Sequence, residues 1–115
     1  ECADLGGTID MQEGYVRRPD LNSDGIADMV LDFGAAQCSA AVSLHCGSAG
    51  CFQTVWLARA EGGFDQVYRG NFHGLEPRPG GGFDLALHGS FCGKLGYETC
   101  SWSFGFDGRR LVRLD

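Results

Sequence analysis

Hydrophobic and polar residues alternate along several short segments of the chain, which is the pattern of β-strands with one buried face. Residues 99–106 show it most clearly, with four side chains on one face: Cys100, Trp102, Phe104 and Phe106. The dipeptide Asp107-Gly108 follows, and type I′ hairpin turns prefer this dipeptide because both central residues need positive φ. Residues 109–114 are therefore expected to pair back on residues 99–106.

Other segments complete a predicted antiparallel β domain. Residues 51–58 are apolar on both faces and rich in aromatic and β-branched residues, as in a central strand. Shorter strands are predicted at 8–11, 15–18, 27–33, 64–69 and 83–88, the last with Phe83, Leu85 and Leu87 facing inward. Glycine, proline and small residues predict loops at 34–50, 70–82 and 89–98. The expected fold class is mostly β: one domain over residues 1–115, forming a small antiparallel sheet or sandwich, or a propeller-blade-like domain, with long disulfide-tied loops.

Oxygen-bearing residues recur at a regular spacing between two of these strands, in residues 20–28. Counted from the first aspartate, side-chain oxygens fall at positions 1, 3, 5 and 9, and the candidate ligands are Asp20, Asn22, Asp24, Asp28 and the backbone carbonyl of Ile26. A polar turn is the alternative, but a turn needs fewer such residues. Ca²⁺ takes roughly six to eight oxygens at about 2.3–2.6 Å, and Gly25 permits the tight turn that lets them converge. The run therefore predicts a Ca²⁺ site.

The loop differs from an EF-hand, because Leu31 stands where an EF-hand places its bidentate glutamate. A predicted strand follows it, and residues 15–33 resemble the strand-flanked D-x-N-x-D-G-x-x-D loops of FG-GAP, VCBS-type and related β-propeller repeats. The resemblance implies that Asp20, Asn22, Asp24 and Asp28 bind calcium. Members of that family stack several blades, whereas this chain carries one copy of the loop.

Six cysteines, an even number in a small glycine-rich chain, predict three disulfides. The alternative is zinc, whose sites show close C-x₂₋₄-C pairs, often with matched histidines. Cys46-x₄-Cys51 is the only near match, and His45, His73 and His88 form no partner motif. The cysteines are Cys2, Cys38, Cys46, Cys51, Cys92 and Cys100. Fifteen pairings are open, and we expect Cys92 to pair with Cys100 and the other four to pair among themselves.

Disulfides indicate an oxidising compartment. A weak extracellular calcium site would agree with this, because an affinity on the order of 10⁻⁴–10⁻³ M is useless against cytosolic calcium. The chain starts Glu1-Cys2-Ala3-Asp4 without the apolar segment of a signal peptide. We therefore expect a periplasmic or secreted protein in its mature form, after signal-peptide removal.

Acidic residues are concentrated in the first third of the chain. Residues 1–36 hold eight acids and two arginines, whereas residues 37–115 hold seven acids and seven basic residues. The whole net charge of −6 therefore lies in the first third, where one Ca²⁺ would reduce it to −4. An acidic chain without a basic stripe is a poor candidate for nucleic acid, and no apolar run reaches the length of about 18 residues that spans a membrane. We expect neither nucleic-acid binding nor membrane insertion.

The sequence contains no G-x-S-x-G elbow, H-E-x-x-H helix or phosphate-binding glycine loop. We therefore expect a protein that is not an enzyme: a calcium-binding, disulfide-stabilised module with a binding or structural role, whose partner is another extracytoplasmic protein. The alternative is a small inhibitor or accessory subunit of an extracytoplasmic enzyme, docking through residues 34–50 or 70–82. A hydrolase built on carboxylates such as Asp84 and Asp107 ranks last.

Overall fold

A computed structural model of the chain describes residues 2–40, 45–95, 98 and 100–115, and these residues form mainly β-strands. In chain order the strands are β1 (Ile9–Met11), β2 (Val16–Arg17), β3 (Met29–Asp32), β4 (Ala36–Cys38), β5 (Cys46–Gly47), β6 (Gly50–Ala58), β7 (Phe64–Phe72), β8 (Gly74–Pro77), β9 (Phe83–Leu87), β10 (Cys100–Asp107) and β11 (Arg110–Arg113). Short 3₁₀ helices occupy Ala3–Leu5, Phe33–Ala35 and Gly89–Cys92. Within the described ranges, no helix is long and apolar enough to cross a membrane.

The strands form three antiparallel sheets, which confirms the predicted fold class. The small sheet consists of β1 and β4. The central sheet has the order β2-β3-β6-β5, and β7 pairs along the other edge of β6. The C-terminal sheet has the order β11-β10-β9-β8, so each of its strands pairs with its neighbour in the chain.

The hydrophobic core lies between the central and C-terminal sheets. Its fully buried side chains are Leu21, Val30, Val55, Leu57, Phe72, Phe83 and Leu85. Successive side chains of a strand point to opposite faces, and β9 accordingly buries Phe83, Leu85 and Leu87, as its alternation predicts. On β10, Phe104 is buried, and Trp102 and Phe106 pack beside the core.

Two of the predicted loops contain strands, so those predictions were wrong in part. Residues 34–50 include β4 and β5, and residues 70–82 include the end of β7 and all of β8. Pairing with distant strands overrides the weak local pattern of these small residues. Pro77 is tolerated because β8 lies at the edge of its sheet, where a missing N–H breaks no ladder.

Three disulfides crosslink the fold. They join Cys2 to Cys38, Cys46 to Cys51 and Cys92 to Cys100, across sequence separations of 36, 5 and 8 residues. The pairing agrees with the prediction for Cys92 and Cys100 and with the expectation that the other four pair among themselves. Structural disulfides of this kind persist in oxidising, extracytoplasmic compartments.

Candidate metal centre

The predicted ion loop, residues 20–28, connects β2 to β3 and is closed at its base by hydrogen bonds. The Asp28 N–H donates to the Pro19 carbonyl at 2.7 Å. The Arg18 guanidinium donates to the carbonyl oxygens of Asp28 at 2.7 Å and Ala27 at 3.1 Å. Gly25 has φ = +83°, a left-handed conformation that costs glycine little. The backbone therefore makes the tight turn that the predicted convergence of the ligands requires.

Three carboxylates meet inside this loop. One oxygen from each of Asp20, Asp24 and Asp28 lies within 4.8 Å of the other two. Two oxygens bound to the same Ca²⁺ at about 2.4 Å can be no more than about 4.8 Å apart. The geometry therefore allows all three carboxylates to hold one metal ion.

Hydrogen bonds within the loop fix the two exposed carboxylates. Asp20 Oδ2 accepts from the Gly25 N–H at 2.9 Å, and Asp24 Oδ1 accepts from the Ile26 N–H at 2.9 Å. These are the local bonds by which aspartate stabilises turns, so the chain itself holds the loop in shape. An ionised carboxylate has about four acceptor positions, which leaves capacity at both residues for a cation.

Asp28 differs from the other two carboxylates because it is fully buried. Its Oδ2 accepts from the Leu21 N–H at 2.7 Å and its Oδ1 accepts from the Ala58 N–H at 2.8 Å. Within the described part of the chain, no arginine or lysine forms an ion pair with this carboxylate. A buried charge is costly unless it is paired or binds a metal. A cation in the loop would supply the missing opposite charge.

The two remaining predicted ligands lie in the same loop. The Asn22 side-chain oxygen is buried and has no hydrogen-bond partner in the described part of the chain. A buried polar atom without a partner loses its hydration without compensation, and a bound ion is one of the things that can satisfy it. Ile26 is half-buried, and its N–H is bonded to Asp24. Carboxylate, amide and carbonyl oxygens are hard ligands, which suit calcium or magnesium better than zinc.

The loop is also part of the contact between the two larger sheets, which the sequence analysis did not predict. Leu21 inserts its side chain into the core, and its carbonyl accepts from the Gly82 N–H at 2.6 Å. A Cβ at Gly82 would collide with the Phe104 carbonyl oxygen, so only glycine fits there. The triplet of glycines at 80–82 was the available signal, because such a run permits a close approach of two backbones.

A cavity of about 550 Å³ opens beside the loop. Asn22 and Asp24 line one side, and Arg109 lies on the lining as well. The Arg109 guanidinium is held by the Ala58 carbonyl at 3.2 Å and by Asp65 Oδ2 at 3.1 Å. Arg109 is therefore a fixed positive charge next to the acidic loop, and no sequence motif predicted this position.

Asp84 and Asp107 do not form the cross-strand carboxylate pair of a hydrolase. In the sheet register, Asp84 lies opposite Ser103, and Asp107 lies opposite Arg110. Hydrogen bonds from the Ser103 side chain and then from Arg78 lower the pKa of the Asp84 carboxyl below its usual value. A general acid needs a raised pKa to stay protonated at neutral pH, so Asp84 is unsuited to that role.

Together, the fold and the loop define a disulfide-bonded, all-β domain with an acidic triad that could hold a metal ion. Comparisons of the chain with protein-family models, with curated proteins and with solved structures found no match. The geometry of the loop and its connections to the core are therefore the features that bear on function.

Proposed function

We propose that the protein is an exported, non-catalytic β module in which residues 20–28 bind a structural Ca²⁺. The observation that carries this proposal is the convergence of three carboxylates in one loop, with Asp28 fully buried among them. Mutual repulsion of three carboxylates at this distance opposes folding unless a cation offsets it. The unpartnered oxygen of Asn22 supports the same ligand set.

The choice of calcium follows from the donors. Side chains of Asp20, Asn22, Asp24 and Asp28, with the carbonyl of Ile26, offer five oxygens, and Ca²⁺ accepts water for the rest of its shell of roughly six to eight. Magnesium prefers to keep several waters and one or two carboxylates. A set of three carboxylates in one loop fits calcium better.

The compartment fits the same proposal. Three disulfides favour a periplasmic or secreted location. Extracellular calcium is abundant enough to fill a site of modest affinity, on the order of 10⁻⁴–10⁻³ M. We infer that the chain acts in such a compartment.

The resemblance to FG-GAP and VCBS-type loops supports the proposal from another direction. Two units of the fold are four-stranded and antiparallel: β2-β3-β6-β7 and β8-β9-β10-β11. A propeller blade is a four-stranded sheet of this size. We propose that the first of these units is a blade-like element. The ion loop stabilises it by fixing the start of β3.

The role of the ion in this proposal is to stabilise the junction of the two larger sheets. The loop contributes Leu21 to the core and a backbone hydrogen bond to Gly82. Asp28 connects the same loop to β6 through Ala58. A ligand that binds only the folded loop stabilises the whole domain by mass action.

Calcium titration tests the proposal directly. Calcium at a hundredfold excess over its Kd adds about 2.7 kcal/mol to the free energy of unfolding, which is roughly 10 °C in Tm for a domain of this size. In Asp24→Asn the amide oxygen can still accept the Ile26 N–H, but one charge is lost. We expect this variant to lose roughly half of the calcium-induced gain, since a tenfold weaker affinity is about 1.4 kcal/mol. Differential scanning calorimetry in calcium and in EGTA measures both values.

Glu61→Gln is the matched control, because it removes one acid from the exposed turn between β6 and β7. Its calcium-induced gain in Tm should equal that of the wild type. A wild-type Tm that is identical in calcium and in EGTA would refute the calcium site. Equal gains in Asp24→Asn and in the wild type would show that the ion binds outside this loop.

A further inference from the structure

Exposed apolar side chains are concentrated near the start of the described chain. Of the seven large hydrophobic residues that are exposed in the described ranges, four lie between residues 5 and 16: Leu5, Ile9, Met11 and Val16. Ile9 is 43% exposed and Met11 is 56% exposed. Contiguous exposed apolar surface is typical of sites that bind other proteins.

Two of these residues, Ile9 and Met11, line a groove of about 400 Å³ on the small sheet. Phe33, Ala36 and His45 line the rest of its surface together with the start of the chain. The rings of Phe33 and His45 are in contact, with centroids 5.6 Å apart. The Cys2–Cys38 disulfide joins the start of the chain, which lines the groove, to the end of β4, so the groove is held in shape before anything binds.

One edge of β1, the strand that carries Ile9 and Met11, is open to another strand. β1 pairs only with β4 in the described part of the chain. The Thr8 carbonyl accepts from the Ser39 N–H, and the Gln12 N–H donates to the Ala35 carbonyl. Because hydrogen-bonding residues alternate in an antiparallel pair, the backbone groups of Ile9 and Met11 point away from β4. Such a row of unpaired groups is a template for strand addition.

The side chains of β1 specify what kind of strand fits. Ile9 and Met11 lie on the groove face, and Asp10 between them points to the other face because successive side chains alternate. Cross-strand neighbours of opposite charge attract, and apolar neighbours pack together. A complementary strand therefore places a lysine or arginine opposite Asp10 and an apolar residue on either side of it. The acid excess of residues 1–36 adds a longer-range attraction for a basic segment.

A second copy of this chain is a poor occupant for the same edge. If β1 of one copy paired antiparallel with β1 of a second copy over all three residues, Asp10 of one copy would lie opposite Asp10 of the other. Like charges that lie directly opposite each other destabilise a strand pair. The first third of each copy also carries eight acids against two arginines, so the two copies would repel.

We propose that β1 is a docking edge for an extended segment of another protein with the pattern apolar–basic–apolar. The segment adds a third strand to the small sheet, its apolar residues pack against the exposed side chains of Ile9 and Met11, and its basic residue pairs with Asp10. The proposal concerns a surface that shares no residue with the ion loop, so it stands or falls independently of the calcium site.

The test is a charge-swap cycle with a synthetic peptide, Ser-Thr-Val-Thr-Val-Lys-Val-Thr-Ser, and a second peptide with glutamate in place of lysine. Titration into ¹⁵N-labelled protein, followed by NMR, should shift the amides of Ile9 and Met11. The lysine peptide should bind the wild type about fivefold more tightly than the glutamate peptide, and Asp10→Lys should reverse that preference.

The control variant is Glu61→Lys, which makes the same change of charge in the β6–β7 turn and should leave the preference unchanged. The titration is run in calcium and in EGTA to separate this surface from the ion loop. Absence of shifts at Ile9 and Met11, or equal binding of both peptides by the wild type and by Asp10→Lys, would overturn the proposal. Sedimentation measurements showing that the protein self-associates, so that the edge is already occupied, would overturn the proposal as well.

Discussion

At the scale of single residues, Asp28 connects more of the molecule than any other candidate ligand in the loop. One carboxylate oxygen accepts from Leu21 in the same loop, and the other accepts from Ala58 at the end of β6. Asp28 directly precedes β3, whose Val30 is fully buried. Asp28 therefore has a structural role in addition to any contact with an ion.

Asp28→Asn separates these two roles. The amide can accept from one N–H, but its NH₂ group must face the other N–H donor, which leaves a buried donor without an acceptor. We expect a loss of about 1–3 kcal/mol in the free energy of unfolding, even with EGTA present. Asp24→Asn should cost little in EGTA because Asp24 is exposed. Urea denaturation of both variants measures the difference, and equal midpoints for Asp28→Asn and the wild type would contradict it.

The sequence predicted the candidate ligands better than it predicted their surroundings. The spacing of Asp20, Asp24 and Asp28 is local, and one turn with a glycine at Gly25 brings them together. The partners of the loop, Ala58 and Gly82, lie far along the chain. Neither hydrophobic periodicity nor a sequence motif specifies such contacts, because they depend on how the sheets pack.

At the scale of elements, strong alternation predicted strands well and weak alternation did not. β6, β9 and β10 carry aromatic and β-branched residues in the expected register, and each lies close to its predicted position. β8 was missed although Leu75 is buried, because glycine and proline surround that residue. Its strand conformation comes from pairing with β9, a contact that propensity does not record.

The small sheet depends on its crosslink more than the other sheets do. None of the residues of β1 or β4 belongs to the main hydrophobic core among the described residues. We therefore expect the double variant Cys2→Ser/Cys38→Ser to lose amide protection at Asp10, Gln12 and Ser39, while Val55 in β6 stays protected. Local opening of this kind is visible in hydrogen exchange.

The matched control for this prediction is Cys46→Ser/Cys51→Ser, which removes a bridge of short separation from the central sheet. It should leave exchange at Asp10 and Gln12 unchanged. Retained protection of the β1–β4 amides in the Cys2→Ser/Cys38→Ser variant would show that the ladder alone holds the small sheet.

At the scale of the whole molecule, Leu21 makes the ion loop part of the core that joins the two larger sheets. The side chain is fully buried in the cluster that also contains Val30 and Phe83. In the proposed calcium site, ion binding and sheet packing would therefore depend on the same few residues. Calcium affinity and global stability should change together when this contact is altered.

Leu21→Ala tests that coupling. Removing a fully buried leucine side chain costs about 2–5 kcal/mol, and the loosened loop should also bind calcium more weakly in calorimetric titration. Leu5→Ala removes the same atoms from a side chain that is 55% exposed, and a surface change of this kind stays within about 0.5 kcal/mol. Similar losses for the two variants in urea denaturation would contradict the coupling.

The three disulfides and the acidic loop have the same consequence for where the chain can fold. Thiols stay reduced in the cytosol, and calcium there is too scarce for a loop of modest affinity. If the chain is exported and its loop binds calcium as proposed, a newly made chain would lack both the disulfides and the ion until it had left that compartment. The chain would then cross the membrane unfolded. The native state would become favourable only in the destination compartment, where an oxidant and calcium occur together.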